Sequence, residues 1–186
     1  MRRLLNRLRS HRSSDRFASD QRGVSAVEFA LILPVMLLIY LGGFEVLQGI
    51  AIDRMVALTA STVTNLVSQY TTISQSTQMP DILSASTQVL TPYPSANARV
   101  VVTCISIDGA GRATVAWSQA SNGGAKAVGA VIAIPAALDT PNSTLIFGET
   151  TYPYTPAIDF MNLGTINLYS SVYMLPRASS TIPLTP

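Results

Sequence analysis

The sequence predicts an α+β protein in which one long N-terminal helix leads into a mostly antiparallel β-sheet. Three observations predict it. An apolar run from Val24 to Leu47 follows an arginine-rich arm. A helical apolar stripe continues from Ile52 to Tyr70. After residue 98, β-branched segments alternate with Gly- and Pro-containing turns.

The first element is the basic arm and the run it precedes. Of 186 residues, 48% are hydrophobic and only 12% charged, about half the charge of an ordinary soluble domain. Residues 1–23 hold seven of the twelve basic residues (Arg2, Arg3, Arg7, Arg9, Arg12, Arg16 and Arg22), with Asp15 and Asp20 the only acids among them. The remainder carries five basic and eight acidic residues, a net of −3. Val24 to Leu47 spans about 36 Å at about 1.5 Å per helical residue, enough for a bilayer core of about 30 Å. Arginines before the run keep the N-terminus cytoplasmic and send the bulk of the chain across. A cleavable secretory signal is a poor fit, because Leu41-Gly-Gly-Phe-Glu45 offers no Ala-x-Ala site. Pro34 is expected to bend the helix and Gly42-Gly43 to loosen it.

Glu28 is the anomaly in this run. A carboxylate at the centre of a membrane helix costs roughly 2.5–3.5 kcal/mol, less near an end, and so signals a partner. The string Arg22-Gly23-Val24-Ser25-Ala26-Val27-Glu28-Phe29 resembles a type IV prepilin leader junction. That resemblance makes Gly23 the last leader residue, Val24 the new N-terminus after cleavage, and Glu28 the fifth mature residue. The new amine and the Glu28 side chain are then four residues apart on one helical face. In prepilin-like families this carboxylate pairs with the N-terminal amine of a neighbouring subunit, which offsets its burial and selects an axial register.

Beyond the run, Ile52, Val56, Thr59, Val63, Leu66 and Tyr70 recur at spacings of three and four, so the helix is expected to continue to about residue 70 with this stripe packed on a core. Residues 71–80 are rich in Thr, Ser and Gln and read as a linker. Asp81 to Leu90 reads as a short helix. Arg99–Asp108 and Arg112–Ser118 are strand-like and flank Gly109-Ala-Gly111, a hairpin pattern, with Trp117 expected in the core or on a sheet face. Ser121 to Lys126 reads as a loop with Lys126 solvated. Val128 to Ile134 is apolar and stops at Pro135. Thr144–Tyr152 and Thr165–Met174 are further strands, and Tyr152-Pro-Tyr-Thr-Pro156 is a rigid loop between them. The organisation is therefore a leader at 1–23, a membrane helix at 24–47, its continuation at 48–70, a linker and short helix at 71–97, and a β-rich domain at 98–186.

Several chemistries lack the residues they need. The only histidine, His11, lies in the leader, and the only cysteine, Cys104, sits in a β-branched segment suited to a buried thiol. No zinc or copper set of usual type assembles from these, and no serine has a histidine base. Neither a metal nor a cofactor is expected, and the chain reads as non-enzymatic. The acidic balance after residue 23 does not suit a nucleic-acid partner.

Two stretches resemble the TadE-like (TadE/TadG) proteins of the Flp, or tight-adherence, pilus system. One is Gln21-Arg-Gly-Val-Ser-Ala-Val-Glu-Phe-Ala-Leu-Ile-Leu-Pro-Val35. The other is Phe147-Gly-Glu-Thr-Thr-Tyr-Pro-Tyr-Thr-Pro156 with Ile166 to Arg177, which ends Tyr-Met-Leu-Pro-Arg. The resemblance implies a pilin-like pseudopilin of the bacterial inner membrane with a periplasmic C-terminal domain. Its implied partners are a prepilin peptidase, other pilin or pseudopilin subunits and the pilus assembly platform. Its implied role is assembling or priming an adhesive pilus. A soluble domain of this size departs from the tiny major Flp pilins and points to a minor or initiating subunit. The alternative is a single-pass, membrane-tethered periplasmic binding or adhesion module.

Overall fold

The computed structural model describes residues 21–158 and 164–186. The leader up to residue 20, with His11, lies outside the described residues, as does Asp159. Helix α1 (Gln21–Ser68) is followed by β1 (Ile73–Ser74), α2 (Gln78–Gln88), β2 (Arg99–Ile107), β3 (Ala113–Ser121), β4 (Ser143–Tyr154), β5 (Ile166–Met174) and β6 (Leu184–Thr185). The fold is α+β, as the sequence predicts. The chain forms two compact units, Met1–Phe44 and Glu45–Pro186.

In the first unit, α1 is unbroken through Pro34. All of its residues from Gly23 to Tyr40 are exposed, including Leu31 and Ile39 at 72% each. Such a surface has no stable solution in water and asks for lipid or protein around it. The helix is long and apolar enough to cross a membrane.

In the second unit, the sheet order is β3-β2-β4-β5 with every pairing antiparallel. The predicted stripe of α1 lies against one face of it. Ile52, Val56, Thr59 and Val63 are all buried, joined by Ala60, Thr64, Val67 and Ser68. Leu66 and Tyr70 pack against the same core. Thr59, Ser61, Thr62 and Thr64 each donate a hydroxyl hydrogen bond to the carbonyl four residues back, which lets a helix carry so many hydroxyls without leaving them unpaired. Gly148 of β4 sits directly beneath. A Cβ there would overlap Thr64 Oγ1 and lie 2.9 Å from the Ala60 carbonyl oxygen. Only glycine permits this approach.

The β2–β3 hairpin turns where the sequence predicts. Asp108 Oδ1 accepts the N–H groups of Ala110 and Arg112 at 2.9 Å each, and Gly111 takes φ +78°, a left-handed value that suits glycine. A bulge between Cys104 and Ile105 keeps Trp117 paired with Cys104 on the helix side. Ile105, Ile107, Leu145 and Phe147 form a separate cluster, closed by Ile132, Ile134 and Leu138 of the connection between β3 and β4.

Four details differ from the sequence reading. Within 71–80, Ile73 is fully buried and β1 pairs in parallel with β6, so this stretch is built into the core rather than a free linker. Helix α2 begins at Gln78, with Pro80 in its first turn where a missing N–H costs nothing. Strand β3 extends to Ser121. Strand β4 runs through Pro153 to Tyr154. At that end β2 has stopped at Arg99, opposite Thr151, so β4 has one neighbour and proline is tolerated.

The C-terminal tail closes the domain. Ile182 is buried, and its carbonyl accepts the Trp117 indole N–H at 2.6 Å. Ile73 N–H donates to Pro183 O and Gln75 N–H to Thr185 O. The Arg177 N–H donates to Ser68 O at 2.9 Å, satisfying a carbonyl at the end of α1.

Candidate functional site

Gly23, Val24 and Glu28 all fall in the opening turns of α1. The four-residue spacing puts the Val24 backbone nitrogen and the Glu28 side chain on one side of the helix, one turn apart. Val24 is 58% exposed, and Glu28 is exposed as well. A Cβ built at Gly23 would meet nothing within 4 Å. Glycine is also the weakest ordinary helix former, about 1 kcal/mol poorer than alanine.

Cavities in the second unit have a different character. A cleft of about 480 Å³ between α2 and β3 is lined by Met79, Pro80, Leu83, Ser84, Gln119 and Asn122, among others, and no titratable side chain among the described residues lines it. Cys104 lines another opening beside Trp117 and Ile182. Burial pushes its thiol up to about 11, only partly opposed by a hydrogen bond with the Ile182 backbone. A thiol held protonated in this way is a poor nucleophile.

Sequence reasoning missed two polar constellations. Lys126, expected to be solvated, pairs with Glu149 at 2.8 Å and lies 5.6 Å from the Phe147 ring centroid. The same carboxylate accepts the Tyr169 hydroxyl at 3.0 Å, and Tyr173 stacks on Phe147 at 4.2 Å. Burial raises the Tyr169 phenol, with the Glu149 charge adding to it against a lowering by Ser171. The cause of the miss is geometric: Lys126 N–H donates to Ser118 Oγ, which folds an irregular loop back over the sheet. No periodicity encodes that return.

The second constellation is at the start of the second unit. The Tyr154 hydroxyl donates to the Glu45 carbonyl at 3.3 Å, and the Ile158 N–H donates to Glu45 Oε1 at 2.7 Å. The Tyr154 ring lies against the helix beside Gly49, where an added Cβ would be in ordinary contact at 3.5 Å. Burial raises the Tyr154 phenol, and the nearby Glu45 charge raises it further. The partners of Glu45 lie more than a hundred residues away in sequence, so no local pattern announces them.

Residues 23–69 match the TadE-like protein family. The match begins at Gly23 and ends one residue past α1, so it covers the long helix and the sheet lies outside it. No curated protein and no solved structure matches the chain. The matched segment is also the one stretch among the described residues that is long and apolar enough to cross a membrane.

Proposed function

We propose that this chain is a minor pilin-like subunit, a pseudopilin, that acts non-catalytically in assembling an adhesive Flp/Tad-type pilus. The observation that supports this reading best is the placement of Val24 and Glu28. They stand one turn apart at the exposed start of a lipid-length helix, inside the TadE-like segment.

In this reading a prepilin peptidase hydrolyses the Gly23–Val24 peptide bond, leaving a carboxylate on Gly23 and an amine on Val24. The first helical turns unwind at Gly23 to present that bond. The freed ammonium and the Glu28 carboxylate then meet the complementary groups of neighbouring pilin or pseudopilin subunits. Each charge finds a partner in the low dielectric, where an isolated one is costly. The N-terminus faces the cytoplasm, and the second unit lies in the periplasm, where it meets other pilin or pseudopilin subunits and the pilus assembly platform.

The experiment is N-terminal mass spectrometry of the chain recovered from cells that hold the peptidase. The expected mass lacks residues 1–23, and Gly23→Leu restores the full-length mass. A wild-type chain recovered intact from such cells overturns the processing step and reduces the helix to a tether.

A further inference from the structure

Strand β3 is one edge of the four-stranded sheet, and only part of that edge is taken. Along its first half the connection to β4 lies against it as an added strand. The Val115 N–H donates to Ala130 O, the Gly129 N–H to Val115 O and the Ile132 N–H to Ala113 O, with Thr114 and Val131 in an antiparallel bridge. These bonds stop at Val115. Ala116 follows as the unpaired residue of the bulge, and the Lys126 N–H turns to the Ser118 hydroxyl instead. Among the described residues, no main chain outside β2 pairs with β3 from Ser118 to Ser121. An edge left in this way presents backbone N–H and C=O groups as a template for a further strand.

The free stretch borders the cleft of about 480 Å³, with Gln119, Ala120 and Ser121 on one side and Met79, Leu83 and Ser84 of α2 on the other. The Asn122 amide donates to the carbonyls of Ala96 and Ala98 at 3.0 and 2.9 Å, which fastens the end of β3 to the turn before β2 and keeps the cleft formed. Four strand residues extend about 13 Å at about 3.3 Å each, so the edge suits a short extended segment. Every lining side chain is uncharged, and a charged guest would lose its hydration there with no counter-charge to offset the loss. The occupant of the first half sets the pattern: Gly129-Ala-Val-Ile132 is extended and carries no polar side chain.

We propose that this cleft is a strand-addition site, which binds an extended, uncharged peptide segment of a partner protein through main-chain hydrogen bonds to β3 between Ser118 and Ser121. Successive side chains of a strand point to opposite faces, so every second residue of the guest turns toward Met79 and Leu83. Main-chain pairing supplies the affinity in such a mode, and the pockets for alternate side chains supply the selectivity. The inference is independent of leader cleavage and of pilus entry.

The test uses the full-length chain in dodecylmaltoside micelles and a fluorescein-labelled peptide, Gly-Thr-Val-Thr-Val-Thr-Gly, read by fluorescence anisotropy. Ser84 is exposed on α2, so Ser84→Trp fills the cleft without entering the core. Ala85→Trp, exposed on the same helix and outside the cleft lining, is the control, and both are compared with the wild type at matching circular dichroism. Saturable binding is expected, weakened at least tenfold by Ser84→Trp and unchanged by Ala85→Trp. N-methylation of the peptide amides should weaken it at least tenfold as well, as should Glu in place of each peptide Thr. Bound peptide should also slow hydrogen exchange within residues 118–121. Absence of saturable binding to the wild type overturns the proposal, and so does binding to Ser84→Trp as tight as to the wild type. Equal binding of the N-methylated peptide overturns strand addition and leaves an apolar contact alone.

Discussion

The indole N–H of Trp117 and the carbonyl of Ile182, 65 residues apart in sequence, meet at 2.6 Å inside the core. This bond ties the C-terminal tail to β3, an edge strand of the sheet, and β6 then continues as the parallel partner of β1. Trp117→Phe keeps most of the ring but removes the donor, leaving a buried carbonyl unpaired at a cost of about 1–3 kcal/mol. The expected outcome is a lower urea midpoint with an unchanged slope. Hydrogen exchange should also quicken at the Ile73 and Gln75 amides, which bond the tail. An unchanged midpoint would show that the tail packs without this bond.

The close approach of α1 to β4 rests on a missing side chain. Gly148→Ala drives a methyl group into Thr64 Oγ1 and toward the Ala60 carbonyl. Overpacking of this kind costs about 1–3 kcal/mol. Thr64→Ala made together with Gly148→Ala should recover part of the loss, because one of the two obstructions is gone. Thermal melts of the two single variants and the double variant measure that coupling. Strict additivity would place the strain elsewhere.

Cys104 gives the stability a pH dependence of known sign. Its folded pKa, pushed up to about 11 chiefly by burial, exceeds the ordinary thiol value of 9.0. The unfolded chain therefore gains the thiolate first as pH rises. This contribution is fully present below pH 9 and is lost between about pH 9 and 11, on the order of 1 kcal/mol per pH unit. Several tyrosines shifted upward by burial act in the same direction. Comparison with Cys104→Ala isolates the thiol: denaturation curves at pH 8, 9.5 and 10.5 should fall less steeply for the variant. Parallel declines would assign the whole effect to the tyrosines.

The Lys126–Glu149 pair is partly shielded, with side-chain exposures of 32% and 14%. A double-mutant cycle of Lys126→Met and Glu149→Gln is expected to give a coupling of about 1 kcal/mol or less that shrinks in high salt. Glu149→Gln alone should lower the Tyr169 titration, since the carboxylate charge that helps to raise it is gone. A Tyr169 titration that does not move would leave burial as its only cause.

These residues also show what the sequence can and cannot reveal. The α1 stripe was legible because Ile52, Val56 and Val63 repeat with the helical period and the structure buries all three. The hairpin was legible because Gly109-Ala-Gly111 interrupts two β-branched segments. Ile73 was not, since one apolar residue among Thr, Ser and Gln has no period, and its partner lies at the other end of the chain. Pro153 argued for a loop, and only the end of β2 opposite Thr151 removes that objection. Glu28 stood out as a charge out of place in an apolar run. Within this fold the structure gives it an exposed position in the opening turns of α1.

Glu28 therefore carries the decisive prediction. Deleting the carboxylate removes a charge that costs up to roughly 3.5 kcal/mol in lipid, so Glu28→Ala should enter the membrane at least as well as the wild type. If the carboxylate instead serves to meet the Val24 amine of a neighbour, the same variant should lose pilus assembly by tenfold or more. Glu28→Gln keeps the polarity without the charge and should fall nearly as far. Counting pili by electron microscopy, with membrane fractionation alongside, separates insertion from assembly. Wild-type pilus numbers in both variants would remove the role assigned to Glu28, whereas full insertion with few pili would leave a neighbour's ammonium as the group it meets.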